Sequence, residues 1–347
     1  MPGPEHQQER LDIATELMNL AIGTDDPVSL LNAFAAHVET CVERGDMDGV
    51  DSALDSIDVL AGRVREPFYR CYSTMIRGMR DFVRGDVASS ERRIHAAWQD
   101  SGAVSAEFAQ HVYRVQRHTL LRMQGRIREA EPIAHEMMLT FPAVPAWTAA
   151  WAAIVWELGK HDAARACLAR LMTQGARHIR EKPSGLAHCA ALAELCCKID
   201  DRAAANEIYE ALAPFANYQG FTTMGAATYG PLERHLGMLA ECLGQAQLAE
   251  THYRASLEAS ARMHSPVFVC STSYGYARAL LLSGDASRRG RAVALLSNAA
   301  QLAERFQLHA VAIAVQRLAS HHALTLQRLS SPGKVEDGQL RALFEEN

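Results

Sequence analysis

A short turn recurs along this chain at an almost constant interval, and that periodicity restricts the fold more than any other feature. It reads Gly45-Asp46, Gly85-Asp86, Gly125-Arg126, Gly159-Lys160, Ile199-Asp200, Gly244-Gln245 and Gly284-Asp285. Successive turns lie 40, 40, 34, 40, 45 and 40 residues apart. Each interval has room for one helix out, a turn, one helix back and a connection, the length signature of stacked helix–turn–helix repeats. Hydrophobic residues are 48% of the chain and aromatics only 7%. A core must therefore be built from Ala, Leu, Val, Ile and Met, which suits closely packed helices and disfavours strands.

Residues not used to find the turns test the alignment. In the second helix of a tetratricopeptide-like (TPR-like) hairpin, the fifth residue after the turn must be small where two helices approach closely. The ninth and twelfth are apolar and line the same face. These positions read Val50, Leu54, Ile57; Ser90, Ile94, Ala97; Ala130, Ala134, Met137; Ala164, Leu168, Leu171; Ala204, Ile208, Ala211; and Ala249, Tyr253, Ser256. The last hairpin fits as Ala292, Leu296 and Ala299 if about three extra residues within Ala286 to Gly290 lengthen its turn. Pro145, followed by Trp147 and Trp151, opens a first helix, and Pro67 and Pro231 open others. The expected fold is all-α: a right-handed α-solenoid of about seven TPR-like hairpins. It forms one domain over residues 1–328 with a loop insertion at 215–230, and residues 329–347 are a polar linker and short tail.

Composition excludes several functions. The formal charge is −5, so no excess of cations is available for a phosphate backbone and nucleic acid is not expected as a partner. The sequence carries neither an uninterrupted apolar run of spanning length nor a signal-peptide core, which predicts a cytoplasmic protein that does not enter a membrane. Eight scattered cysteines form no CxxC pair and read as reduced, small hydrophobes. Glu91 with His95, Glu107 with His111 and Glu131 with His135 share helix faces at i, i+4. They read as ion pairs on amphipathic helices rather than chelates. HExxH, GxSxG and GxxxxGK[ST] are all absent, so neither metal nor cofactor is expected and no catalytic residue is assigned.

The stretch from Pro142 to Ala310 resembles the C-terminal helical region of large bacterial signalling proteins. These carry a nucleotide cyclase or DNA-binding domain, an AAA-type ATPase and a TPR-like tail. The phrases that carry the likeness are Pro145-Ala146-Trp147, Glu157-Leu158-Gly159, Tyr209 to Phe215, Gly230-Pro231 with Leu236-Gly237, Tyr253 to Met263, and Tyr276 to Leu281. The N-terminal part is similar more loosely, through Pro67 to Arg80 and Gly85-Asp86. The resemblance implies a regulatory and interaction surface rather than a catalytic one. Cyclase, phosphate-loop and DNA-reading segments are missing here, which implies a stand-alone relative or a piece whose enzymatic partner is separate.

In TPR-type stacking the first helix of each hairpin lines the concave face. Counting back from each turn places Tyr72, Met75 and Met79, then Thr119 and Arg122, then Trp156, then Arg234, His235 and Met238, and finally Tyr274 and Arg278 on that face. We take Tyr72, Met79, Arg122, Arg234, His235, Tyr274 and Arg278 as candidate groove residues, because Arg forks grip carboxylates while aromatic rings supply apolar area. The Gly- and Thr-rich stretch from Phe215 to Gly230 breaks the pattern. With Tyr218, Thr222, Thr223 and Tyr229 it is expected to fold over the groove as a lid. Trp147 and Trp151, four residues apart, are expected to fill the interface between hairpins.

The leading functional expectation is a scaffold or adaptor that binds a protein or peptide along its concave groove. The alternative is a small-molecule sensor or carrier closed by the 215–230 lid, and the third is an enzyme recruited onto the scaffold. The apolar content of Leu11 to Leu20 and of Val311 to Leu326 would also allow a homodimer.

Overall fold

The computed structural model describes residues 6–23, 26–65, 67–99 and 106–326. The expected linker and tail at 329–347 lie outside the described residues, as does the side chain of Glu107. Seventeen α-helices account for most of the described chain. The first is α1 (Gln7–Ile22). Seven pairs of consecutive helices then meet at the recurring turns: α2 (Pro27–Arg44) with α3 (Met47–Val64), α4 (Pro67–Val83) with α5 (Val87–Gln99), and α6 (Ala106–Met123) with α7 (Ile127–Thr140). Next come α8 (Pro145–Glu157) with α9 (His161–Met172), a short α10 (Ala176–Arg180), and α11 (Gly185–Ile199) with α12 (Arg202–Leu212). The last pairs are α13 (Leu232–Cys242) with α14 (Ala246–Arg262) and α15 (Pro266–Leu282) with α16 (Arg289–Arg305), followed by α17 (His309–His321). Every pair packs together, and each packs on the next. Among the described residues no helix is long and apolar enough to cross a membrane.

The turns work because two adjacent residues stop one helix and start another. Gly45, at φ 74°, is left-handed, a conformation that costs glycine little, and it ends α2. Asp46 then accepts the Gly49 N–H at 2.9 Å and caps α3. Gly85 with Asp86 and Gly284 with Asp285 repeat the arrangement. At the one turn without glycine the sequence alignment is off by a residue: Asp200, at φ 61°, is the left-handed position and Asp201 caps α12. Pro67 and Pro145 occupy the first turns of α4 and α8 as expected, and Pro231 immediately precedes α13. The extra residues in the last turn form a single 3-10 turn at Ala286–Arg288.

The small residues after each turn are where helices touch. Val50, Ser90, Ala130, Ala164, Ala249 and Ala292 are all fully buried, and Ser90 donates from its hydroxyl to the Gly78 carbonyl at 2.7 Å. Trp147 is buried, while Trp151 is half-buried and donates through Nε1 to Glu131 Oε1 at 3.1 Å. The other Glu/His positions find separate partners: Glu91 pairs with Arg117, and His95 with Gln99. The eight cysteines, all among the described residues, form no disulfide.

The second and third pairs also meet the C-terminal helices. Helix α4 packs on α15 and α6 on α17. Phe82 sits edge-on to Phe268 at 6.5 Å, and Ser265 donates through Oγ to the Val83 carbonyl at 2.8 Å. The chain thereby wraps around a central space bounded by α6, α8, α11, α13, α15 and α17.

The 215–230 segment, expected as a lid, is ordered against the helices. It forms a two-stranded antiparallel hairpin, β1 (Gln219–Phe221) with β2 (Thr228–Pro231), driven into the inner face near α2, α11 and α13. Gly220, Ala226, Ala227, Thr228 and Gly230 are buried. Gln116 on α6 donates from one amide to both the Met75 carbonyl at 2.9 Å and the Ala226 carbonyl at 2.7 Å, tying α4, α6 and the hairpin together. Gly230 is held at φ 78°, and a Cβ there would stand 2.7 Å from the Phe268 ring. Gly and Thr are thus needed for close approach and for local hydrogen bonds, such as Thr228 Oγ1 to the Gly220 carbonyl at 3.1 Å.

Candidate binding cavity

Residues at ten, six and three places before a turn share one helix face, since those separations are close to whole turns. In α6 they are Val115, Thr119 and Arg122; in α13, Arg234 and Met238; in α15, Tyr274 and Arg278. All of these line one cavity of 1220 Å³, as do Trp156 on α8 and Glu194 on α11, six places before Asp200. Trp147, Tyr229 and Phe268 add apolar wall, and Arg128, Lys182 and Arg317 stand on it from α7, the turn before α11, and α17.

The candidate groove residues divide. Arg122, Arg234, Tyr274 and Arg278 reach the cavity, and so do Thr222 and Tyr229 from the inserted hairpin. Tyr72 and Met79 do not: they are buried in the core, with Tyr72 donating to the Ala35 carbonyl at 3.4 Å. His235 is completely buried behind Arg234 rather than facing the space. Tyr218 packs against Phe215 at 6.1 Å and is not part of the wall. The Thr223 side chain lies outside the described residues.

At the centre of the wall, Glu194 accepts from two arginines. Arg234 Nη2 stands 3.0 Å from Oε1, Arg122 Nη1 stands 3.3 Å from Oε2, and His235 Nε2 is 3.7 Å from Oε1. Burial alone would raise the Glu194 pKa. The adjacent His235 and the charges of Arg122 and Arg234 override it and hold the carboxyl well below its ordinary range. Burial pushes His118 down to about 3, with Arg122 adding to the effect, and pushes His235 down to about 4. Both imidazoles are therefore neutral. Burial pushes the Tyr229 phenol up to about 12, so it too is uncharged.

Three other cations of the wall each pair with a carboxylate. Lys198 Nζ meets Glu157 Oε1 at 2.6 Å, and Arg126 Nε meets Glu129 Oε1 at 2.6 Å. Arg278 clamps both oxygens of Glu241 at 2.7 and 3.1 Å, with Tyr253 donating to the same carboxylate at 2.9 Å. Several buried nitrogens on the wall find no hydrogen-bond partner: Nε2 of His118, Nδ1 of His188 and Nε of Arg234. No group of three or more His, Cys, Asp or Glu able to hold a metal occurs among the described residues.

Counting from the wrong turn residue hid Glu194 in the sequence. Six places before Ile199 is Ala193, whereas six before Asp200 is Glu194, in register with Met238 and Arg278. His118 and Lys182 carried no comparable periodic signal. No protein-family model and no curated protein matches this sequence, so the chemistry of the cavity is read from its geometry.

Proposed function

We propose that the protein is a TPR-like α-solenoid that works as a regulatory or adaptor module, holding an extended acidic segment of a partner protein in its central cavity. The observation that carries this reading is the cavity itself. One register of five helices supplies much of its wall, it measures 1220 Å³, and arginine, lysine and aromatic side chains stand in that wall among small and aliphatic ones. Small-molecule sites run to roughly 300–1,000 Å³, so this volume favours a peptide segment over a compact metabolite. The wall carries more cations than carboxylates although the chain as a whole is negative. The charge is concentrated where an anionic ligand would meet it.

The test uses fluorescence anisotropy with a labelled eight-residue peptide alternating Glu with Leu or Phe, against a counterpart with Lys in place of Glu. The acidic peptide binds, the basic one does not, and Ala146→Trp, which fills the cavity, abolishes binding. Equal affinity for both peptides, or binding indifferent to Ala146→Trp, contradicts the proposal.

A further inference from the structure

The charge arrangement at the cavity's centre goes further than a general preference for acidic segments. Arg122 and Arg234 are two positive charges on one negative charge, Glu194. Their side chains are 22, 14 and 16% exposed, so the excess of one positive charge sits where water screens it poorly. The neighbouring carboxylates have cations of their own, Glu157 with Lys198 and Glu241 with Arg278, and of the two Glu157 also acts on Arg122 from a distance.

Donor capacity is also unused there. Arg122 engages Glu194 only through Nη1, at a long 3.3 Å, and its remaining nitrogens make no hydrogen bond among the described residues. Arg234 Nε is buried without a partner. His118, 6% exposed, lies within electrostatic reach of Arg122 and Glu194, and its Nε2 is likewise buried and unpartnered. A buried unpaired donor and an excess of positive charge are each costly, and a single planar anion bonded to the guanidinium edges would relieve both. Trp147, edge-on to His118 at 5.5 Å, offers an apolar wall beside that position.

We propose that the Arg122–Glu194–Arg234 cluster is a seat for one carboxylate of the bound segment, with an apolar side chain beside it against Trp147. A carboxylate makes the cluster neutral. A phosphate dianion would reverse its charge and face Glu194 as a like charge, so the seat selects carboxylate over phosphate. This rests on the reading of the cavity as a peptide site. The carboxylate has two sources, a Glu or Asp side chain or the chain terminus.

The experiment compares calorimetric Kd values for five forms of one Leu- and Phe-containing peptide. The first has a single Glu and an amidated end; the second has Gln in its place and a free terminal carboxylate. The third has Gln and an amide, the fourth phosphoserine and an amide, and the fifth has several Glu residues and an amide. At least one of the first two binds tenfold or more tightly than the third, and which one does names the source. The phosphoserine form gains no such advantage. In R122Q the tenfold advantage collapses while the affinity of the neutral third peptide stays within twofold. If the third peptide binds as tightly as the first two, or the fourth more tightly, the seat is refuted while the peptide reading stands. If none of the five binds, both fall. The peptide series needs only the native protein, so a variant that folds poorly does not blunt the test.

Discussion

The same helical register has opposite fates in the two halves of this molecule. In α4, the positions ten, six and three before the turn are Met75, Met79 and Phe82; all three are buried, and only Phe82 touches the cavity. In α13 and α15 the same register supplies Arg234, Met238, Tyr274 and Arg278, which face an open cavity. The inserted hairpin and α15 account for the difference. On the N-terminal side Gly225 is pressed towards Val42 and Ile76, and Phe268 meets Phe82. Apolar inner faces invite such covering, because burying them removes surface from water at about 25 cal/mol per Å². A wall of guanidinium groups resists it, since each must keep a carboxylate or a ligand.

The largest expected effect breaks the polar side. Glu194→Ala leaves Arg122 and Arg234 buried without their anion and should destabilise the protein by roughly 3–5 kcal/mol in urea denaturation. A loss under about 1 kcal/mol would show that water reaches the pair freely.

A matched pair of substitutions sharpens the comparison next. Met79 and Met238 hold the same register position, one buried and one on the cavity wall. Met79→Ala should cost roughly 2–5 kcal/mol, the range for deleting a packed core side chain. Met238→Ala should cost about 1 kcal/mol or less, as expected where no dense packing is lost. Equal costs would mean that the two inner faces are packed alike.

The pH dependence comes third. His118 and His235 are held neutral, at about 3 and about 4, and burial takes His188 to about 4 as well. An unfolded histidine titrates near 6.5. Above that value both states are neutral and nothing is lost. As pH falls below it, the unfolded chain takes up protons that the folded core refuses. Stability therefore declines by about 1.4 kcal/mol per pH unit for each such histidine until its folded pKa is reached. Denaturation midpoints followed from pH 6.5 to 4.5 should show this slope, and His118→Phe should flatten it by one proton. An unchanged slope in that variant would place His118 in contact with water.

Much of this organisation was legible in the sequence and part of it was not, for definable reasons. Six of seven turns announced themselves because only glycine occupies the left-handed position cheaply, and the aspartate after it often caps the next helix. The turn at Asp200 gave no such sign, and the one-residue error there concealed Glu194. A carboxylate among apolar helix residues also looks unremarkable until its partners, 40 and 72 residues away in the chain, are brought to it. Helix α10 is too short for periodicity to reveal. The insertion was visible as an interruption, but its Gly and Thr content suits a buried hairpin as well as an exposed loop. Local composition could not distinguish them. Tyr72, Met79 and His235 lie on the first helices of their pairs, and their burial depended on what the insertion and the last helix pairs covered.

Amide hydrogen exchange across residues 219–231 in the ligand-free protein tests the division between filled and open halves most directly. If the hairpin is a built-in part of the core, the Gly230 amide, bonded to Thr228 Oγ1 at 3.0 Å, and the Ala227 amide, bonded to Thr222 Oγ1 at 3.0 Å, exchange as slowly as the surrounding helices. Exchange at the rates of an exposed loop, slowing only when a peptide binds, would restore the lid and contradict the account given of both halves.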